Sequence, residues 1–101
     1  MRSPSSKEVQ ILSLLLKKAR LDFGATTLEV EPMNDGGMGS LKIGKNHELR
    51  SFGSQVAEEQ HTDNDGVPFI ASLYLDKEGM PYELDIWKVD FSETEVLNGN
   101  S

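Results

Sequence analysis

Two carboxylates and an aromatic ring occupy alternate positions in the segment YELDIWKVDF, residues 82–91. In an extended strand Glu83, Asp85 and Trp87 share one face, because successive side chains point to opposite faces. Two carboxylates in different surroundings can divide the roles of acid and base, as in glycoside hydrolysis. The same residues could form a solvated strand face, and no third catalytic group accompanies them. The segment therefore favours binding over catalysis.

A glycine-rich stretch, MNDGGMGSLKIGKN (residues 33–46), raises the question of phosphate binding. Residues 39–46 approach the phosphate-loop pattern G-x4-G-K-[ST], but Asn46 stands where the pattern needs a hydroxyl for magnesium. The pattern also needs a helix whose N-terminus faces the phosphates, and residues 47–52 offer no long helix. We therefore expect a hairpin turn at Asn34–Gly37, a bulge or close backbone approach at Gly39, and no nucleotide cofactor.

The segment DNDG, residues 63–66, raises the question of a calcium loop. If Gly66 were the sixth loop residue, His61 would be first and Ser72 twelfth, where an acid and a bidentate glutamate are required. His47 and His61 are fourteen residues apart, without metal-ligand spacing. We expect no metal site, and we expect the two aspartates to accept hydrogen bonds from the backbone of a turn.

The composition limits the class of protein and its partners. A chain of 101 residues predicts one domain, 1–101, with frayed tails at 1–4 and 97–101. It contains no cysteine, and its first residues lack the apolar core of a secretory signal, so we expect a cytoplasmic protein without a membrane span. The net charge is −7, and residues 51–101 carry eleven acids against two bases. Such a field disfavours nucleic acid and anionic membranes and favours a basic protein partner.

The N-terminal segment predicts an amphipathic helix. Ser5 and Glu8 have the spacing of a capping box, and Asp22–Gly24 is expected to close the helix. Apolar residues recur at helical spacing on one face, at Val9, Leu12, Leu15, Leu16, Ala19 and Phe23. Leu14 lies on the opposite face.

After Gly24 the hydrophobic period changes to two, which is typical of half-buried strands. Five strands are predicted, at Thr26–Glu31, Leu41–Ile43, about 48–60, Val67–Leu75 and Tyr82–Phe91. In the third, Phe52 and Val56 are expected to face inward. Turn residues separate the strands and favour an antiparallel meander. The predicted fold class is α+β, with one N-terminal helix packed on an antiparallel sheet of about five strands.

Apolar residues on both faces of the last strand predict a partner surface. Leu84 and Ile86 point one way, whereas Trp87, Val89 and Phe91 point the other. Either a bulge near Trp87 shifts the phase and brings its ring into the core, or both faces carry apolar side chains. One helix covers one face, so the second face would expose an aromatic patch. The candidate interface residues are Trp87, Glu83, Asp85, Asp90, Tyr74 and Phe91.

The strings DGGMGSL, DNDG, DKEG and above all ELDIWKVDF resemble a family of small bacterial proteins described as a domain of unknown function. The resemblance extends from the leucine-rich helix to Phe91. It implies a standalone bacterial domain and brings no catalytic residues with it.

Two classes of function follow. The first is a non-catalytic protein-binding domain that meets a basic partner, or a second copy of the chain, through its acidic and aromatic face. Its size and charge are similar to those of immunity proteins that neutralise toxins. The second is a small enzyme or ligand-binding domain that uses Glu83 and Asp85.

Overall fold

The computed structural model describes residues 1–98, and its main features are one long helix and a five-stranded antiparallel sheet. The fold class is therefore α+β. The elements in chain order are α1 (Ser6–Lys18), β1 (Val30–Pro32), β2 (Leu41–Ile43), β3 (Phe52–Thr62), β4 (Pro68–Asp76), β5 (Pro81–Lys88) and the short α2 (Glu95–Asn98). Within these residues no helix has the length and apolar character that crossing a bilayer requires.

Helix α1 begins with the predicted capping box but ends earlier than expected. The hydroxyl of Ser5 accepts from the Glu8 backbone N–H, and the Glu8 carboxylate accepts from the Ser5 N–H at 2.8 Å. The helix ends at Lys18 because Arg20 adopts a left-handed conformation, with φ of 58°. The Leu21 N–H then donates back to the Leu16 carbonyl at 2.9 Å, a geometry that closes many helices. The predicted end at Asp22–Gly24 is therefore wrong.

The first strand is shorter than its apolar pattern suggested. Thr26 and Thr27, predicted as the start of the strand, belong to a 3-10 helix at Ala25–Thr27, and β1 begins only at Val30. The backbone N–H and the hydroxyl of Thr27 both donate to the Gly24 carbonyl, at 3.0 and 2.7 Å. These local bonds compete with strand pairing and explain the later start.

The sheet order is β1-β2-β5-β4-β3, and every neighbouring pair is antiparallel. The consecutive pairing predicted for a meander holds for β1 with β2 and for β3, β4 and β5, but not for β2 with β3. Strand β2 pairs with β5 rather than with β3, so the connection from β2 crosses to the far edge of the sheet. This arrangement places β5 inside the sheet, between β2 and β4.

Strand β3 departs from the expected inward residues. Phe52 is 54% exposed, whereas Ala57 is buried, so the inward placement of Phe52 is wrong. The pairing of β3 with β4 shifts register between Phe52 and Ser54 and again between Gln55 and Ala57. Two irregularities in one strand change which side chains face the core.

The buried apolar side chains of helix and sheet form one cluster. Helix α1 contributes Ile11, Leu12, Leu15 and Leu16. The strands contribute Val30, Leu41, Ile43, Ala57, Phe69, Ala71, Leu73, Leu84 and Ile86. The apolar alternation predicted for the fourth strand is confirmed at Phe69, Ala71, Leu73 and Leu75, all of which are buried.

Both predicted tails contain residues with defined contacts. Arg2 and Val30 exchange two backbone hydrogen bonds, of 2.9 and 2.8 Å, and the Arg2 guanidinium binds both carboxylate oxygens of Glu8. At the other end, Leu97 packs against the core. The remainder of the predicted C-terminal tail, residues 99–101, lies outside the described residues.

Two leucines of α1 provide a matched test of the core. Leu12→Ala should lower the free energy of unfolding by about 2–5 kcal/mol, because Leu12 is fully buried and its truncation leaves a cavity. Leu14→Ala, at a position that is 42% exposed on the same helix, should change it by less than about 1 kcal/mol. Chemical denaturation measures both. Equal losses in the two variants would contradict the core described here.

Candidate functional site

Buried and more exposed side chains alternate along strand β5 from Tyr82 to Lys88. Leu84, Ile86 and Lys88 are buried, and Trp87 on the other face is 46% exposed. Its pairing with β4 continues in register through Ile86 and Trp87, with no bulge at that point. The alternative in which a bulge turned Trp87 into the core is therefore wrong. We call the face that carries Glu83, Asp85 and Trp87 the outer face.

A shallow hollow of about 390 Å³ lies on the outer face, lined by Phe52, Tyr74, Glu83 and Asp85. Tyr74 is directly opposite Glu83 in the pairing of β4 with β5. The rings of Phe52 and Tyr74 are tilted by 59°, with centroids 5.4 Å apart. Two aromatic walls and two carboxylates therefore surround one concave surface.

Neighbouring side chains position the two carboxylates. His47 Nε2 lies 2.8 Å from Glu83 Oε2, and the imidazole stacks on Tyr82 at a centroid distance of 4.2 Å. The hydroxyl of buried Ser40 accepts from the Ile86 N–H at 2.9 Å and lies 3.3 Å from Asp85 Oδ1. A side chain from a neighbouring segment therefore contacts each carboxylate: His47 contacts Glu83, and Ser40 contacts Asp85.

Two carboxylates line the hollow, and Lys42 lies directly opposite one of them, Glu83, in the pairing of β2 with β5. Among residues 1–98, no basic side chain lies within ion-pair distance of Asp85 or Glu58, and Lys42 is 3.9 Å from Glu31 instead. Burial raises the pKa of the Tyr74 hydroxyl, and the negative charges of Asp85, Glu58 and Glu83 raise it further. The structure thus brings Tyr74 together with the carboxylates that the sequence singled out.

Trp87 and Phe91 form a second aromatic group beyond the hollow. Their ring centroids are 6.0 Å apart, and Phe91 is 66% exposed. Phe91 has φ of 62°, an uncommon conformation for a bulky residue. Asp90 differs from the other candidates, since its carboxylate accepts the N–H and hydroxyl of Ser92 and these bonds lower its pKa.

At the end of β5, Lys88 forms a buried ion pair with two carboxylates. Lys88 is fully buried, and its Nζ lies 2.7 Å from Asp63 Oδ2 and 2.6 Å from Asp65 Oδ2. It also donates to the Glu93 carbonyl at 2.9 Å. Burial alone would lower the pKa of Lys88, but the two carboxylates outweigh that effect and raise it. The DNDG segment is therefore a turn whose aspartates neutralise an internal lysine.

The side chain of Asp63 also caps the start of helix α2. Its carboxylate accepts the backbone N–H groups of Glu95 at 2.7 Å and Val96 at 2.8 Å. Burial would raise the pKa of Asp63, yet the hydrogen bonds from Lys88 and these backbone groups lower it to about 2. One carboxylate therefore joins the turn after β3 to the C-terminal segment.

The glycine-rich loop packs beneath that C-terminal segment. Asp35 accepts the N–H groups of Ser40 at 2.9 Å and Gly39 at 3.4 Å, which closes the loop between β1 and β2. Gly39 has φ of 104°, and an added Cβ there would lie 2.9 Å from Leu97 Cδ1. The expected close approach at Gly39 is to a side chain of α2. The loop therefore packs against the C-terminal segment, and a 3-10 helix at His47–Leu49 follows β2.

The sequence model of a domain of unknown function, DUF6984, matches residues 1–97. The chain belongs to the DUF6984 family. This confirms the family-level resemblance, and the match covers both the internal lysine network and the outer face. No curated protein and no solved structure matches the chain.

Three contributors to this DUF6984 structure were missed by sequence reasoning. His47 was considered only as a possible metal ligand, and Phe52 was predicted to face the core. Lys88 was not singled out, although its position two residues after Ile86 placed it on the buried face of β5. That alternation was a usable signal for Lys88. No local signal existed for His47, because its contact with Glu83 joins residues 36 apart.

The acid dependence of stability tests the buried ion pair. Asp63→Asn should lower the free energy of unfolding at pH 7 by about 3 kcal/mol, because Lys88 then loses a buried partner. The folded pKa of about 2 lies below the ordinary 3.8, so the Asp63 contribution is present above about pH 4 and disappears toward pH 2. The deficit of the variant should therefore shrink over that range in urea titrations. Asp22→Asn, at an exposed acid, is the control, and a pH-independent deficit would contradict the assignment.

Two glycines of one loop separate backbone strain from close packing. Gly39→Ala should lower the free energy of unfolding by roughly 2 kcal/mol or more. The new Cβ would collide with Leu97, and alanine would have to adopt an unfavourable positive φ. Gly36 also has a positive φ, of 75°, but a Cβ added there would have no atom within 4 Å. Gly36→Ala should therefore lower the free energy of unfolding by only about 1 kcal/mol. Thermal denaturation compares them. Equal costs would mean that Leu97 does not occupy this space in solution.

Proposed function

We propose that the chain is a non-catalytic, cytoplasmic protein-binding domain whose outer face receives a basic protein. One observation carries the proposal: an exposed tryptophan, Trp87, follows two carboxylates along a strand that is held on both sides within the sheet. Tryptophan is enriched among residues that dominate binding energy, and surrounding polar groups exclude water from such contacts.

The charge of the face supports a basic partner. The outer residues of β3 and β5 include Glu58, Glu83 and Asp85, and the net charge of the chain is −7. Complementary charge increases the rate of encounter and disfavours partners of like charge. The same argument disfavours a second copy of the chain on this face, because two acidic surfaces would repel each other.

The aromatic groups support a preformed contact surface. Trp87 is paired with Ile70 of β4, and this pairing limits the entropy that its backbone would lose on binding. Phe91 exposes its ring from a left-handed backbone conformation, and such unfavourable conformations cluster at functional sites. Size and charge similar to those of immunity proteins make a toxin one candidate partner. A small enzyme using Glu83 and Asp85 is the alternative, and the open, shallow shape of their hollow favours binding over catalysis.

A capture experiment with three baits tests the proposal. The wild-type chain should retain a basic protein from native lysate, and Trp87→Ala should weaken that association by about 2 kcal/mol or more while unfolding nearly as the wild type does. The double variant Glu83→Lys/Asp85→Lys should lose the same protein through charge reversal. Affinity is measured by titration calorimetry with the purified partner at two salt concentrations.

The matched control reverses two exposed acids elsewhere. Asp22→Lys/Glu78→Lys makes the same change in net charge away from the outer face and should retain the partner. Retention by all three baits, or loss by the control as well, would exclude the outer face as the contact surface. Self-association of the wild type that Trp87→Ala abolishes would replace the basic partner with a second copy.

A further inference from the structure

We propose that the hollow lined by Phe52, Tyr74, Glu83 and Asp85 binds a guanidinium group, as carried by an arginine side chain. This inference rests on the proposed function, since it names the group that a basic partner would insert. It assigns the hollow a ligand of defined chemistry, separate from the contact made by Trp87.

The aromatic walls suit a planar cation. Phe52 is 54% exposed at the start of β3, and its ring lies 5.4 Å from that of Tyr74. Exposed aromatic side chains that lie next to each other often mark a binding site. A cation over an aromatic face is attracted by the ring quadrupole, and arginine makes this contact more often than lysine.

The carboxylates supply the opposite charge and leave acceptor positions available. His47 contacts Oε2 of Glu83, which leaves Oε1 for a ligand. Asp85 is exposed and, within the described residues, has no basic partner. A guanidinium presents several N–H donors in one plane, so it can stack on a ring and donate to a carboxylate at the same time.

The two carboxylates of the hollow are held by neighbouring side chains before a ligand arrives. His47 is fixed by stacking on Tyr82, and the buried hydroxyl of Ser40 is anchored to the backbone of Ile86. A preorganised site binds more tightly because fewer side chains lose freedom on binding. Among residues 1–98, no three potential metal-ligating side chains lie close enough together to hold a metal ion.

Titration with small probes tests the guanidinium site without the protein partner. N-acetyl-arginine amide, added at millimolar concentration to the isotope-labelled chain, should shift the backbone amide resonances of residues 52, 74, 83 and 85. N-acetyl-lysine amide should bind several-fold more weakly, because an ammonium group cannot stack. N-acetyl-citrulline amide, which has the same shape without the charge, should produce no saturable shifts.

Two variants and a control locate the binding. Asp85→Asn and Phe52→Leu should each weaken arginine-probe binding by about fivefold or more, since each removes one of the two attractions. Asp22→Asn, an exposed acid away from the hollow, should bind the probe as the wild type does. Each variant is first shown by its unfolding curve to be folded at the titration temperature.

The outcomes separate this inference from the proposed function. Saturable citrulline binding, equal lysine binding, or shifts that persist in both variants would overturn the guanidinium site. If the arginine probe fails to bind while the wild type still captures a partner that the outer-face variants lose, only the present inference fails. If the probe binds as described but no basic partner is retained, the protein-binding function fails and the guanidinium site stands.

Discussion

The buried ammonium group of Lys88 is the constraint on which the rest of the structure depends. A charge removed from water needs compensating carboxylates, and Asp63 and Asp65 supply them at 2.7 and 2.6 Å. Because strand side chains alternate, an inward Lys88 requires an outward Trp87. The buried Leu84 and Ile86 set this phase of β5, and Lys88, two residues further along the same face, then needs its carboxylate partners.

The same network ties distant segments to one end of the sheet. Asp63 accepts hydrogen bonds from the first residues of α2, and Lys88 donates to the carbonyl of Glu93. Leu97 of α2 then fills the space above Gly39, where a Cβ would collide with it. The turn after β3, the end of β5 and the glycine-rich loop thus depend on one another. Asp63 and Asp65, which the sequence raised as possible calcium ligands, are instead partners of Lys88 in this network.

What remains outside that network is the outer face. Phe52, Trp87 and Phe91 stay largely exposed, and Asp85 has no basic partner within the described residues. Exposed rings beside uncompensated charge add little to folding, because neither is buried. Their concentration on one face of the sheet is the physical reason for the binding function proposed above.

Local interactions were determined by the sequence alone: the capping box of Ser5 and Glu8, the turn of Asp63, and the apolar alternation of β4 all depend on neighbours within a few residues. They allowed us to predict the α+β class and the common strand face of Glu83, Asp85 and Trp87. Only the tertiary structure decided the pairing of β2 with β5 and the outward Phe52. Strand order and register depend on contacts between residues far apart in the chain, which local periodicity does not encode.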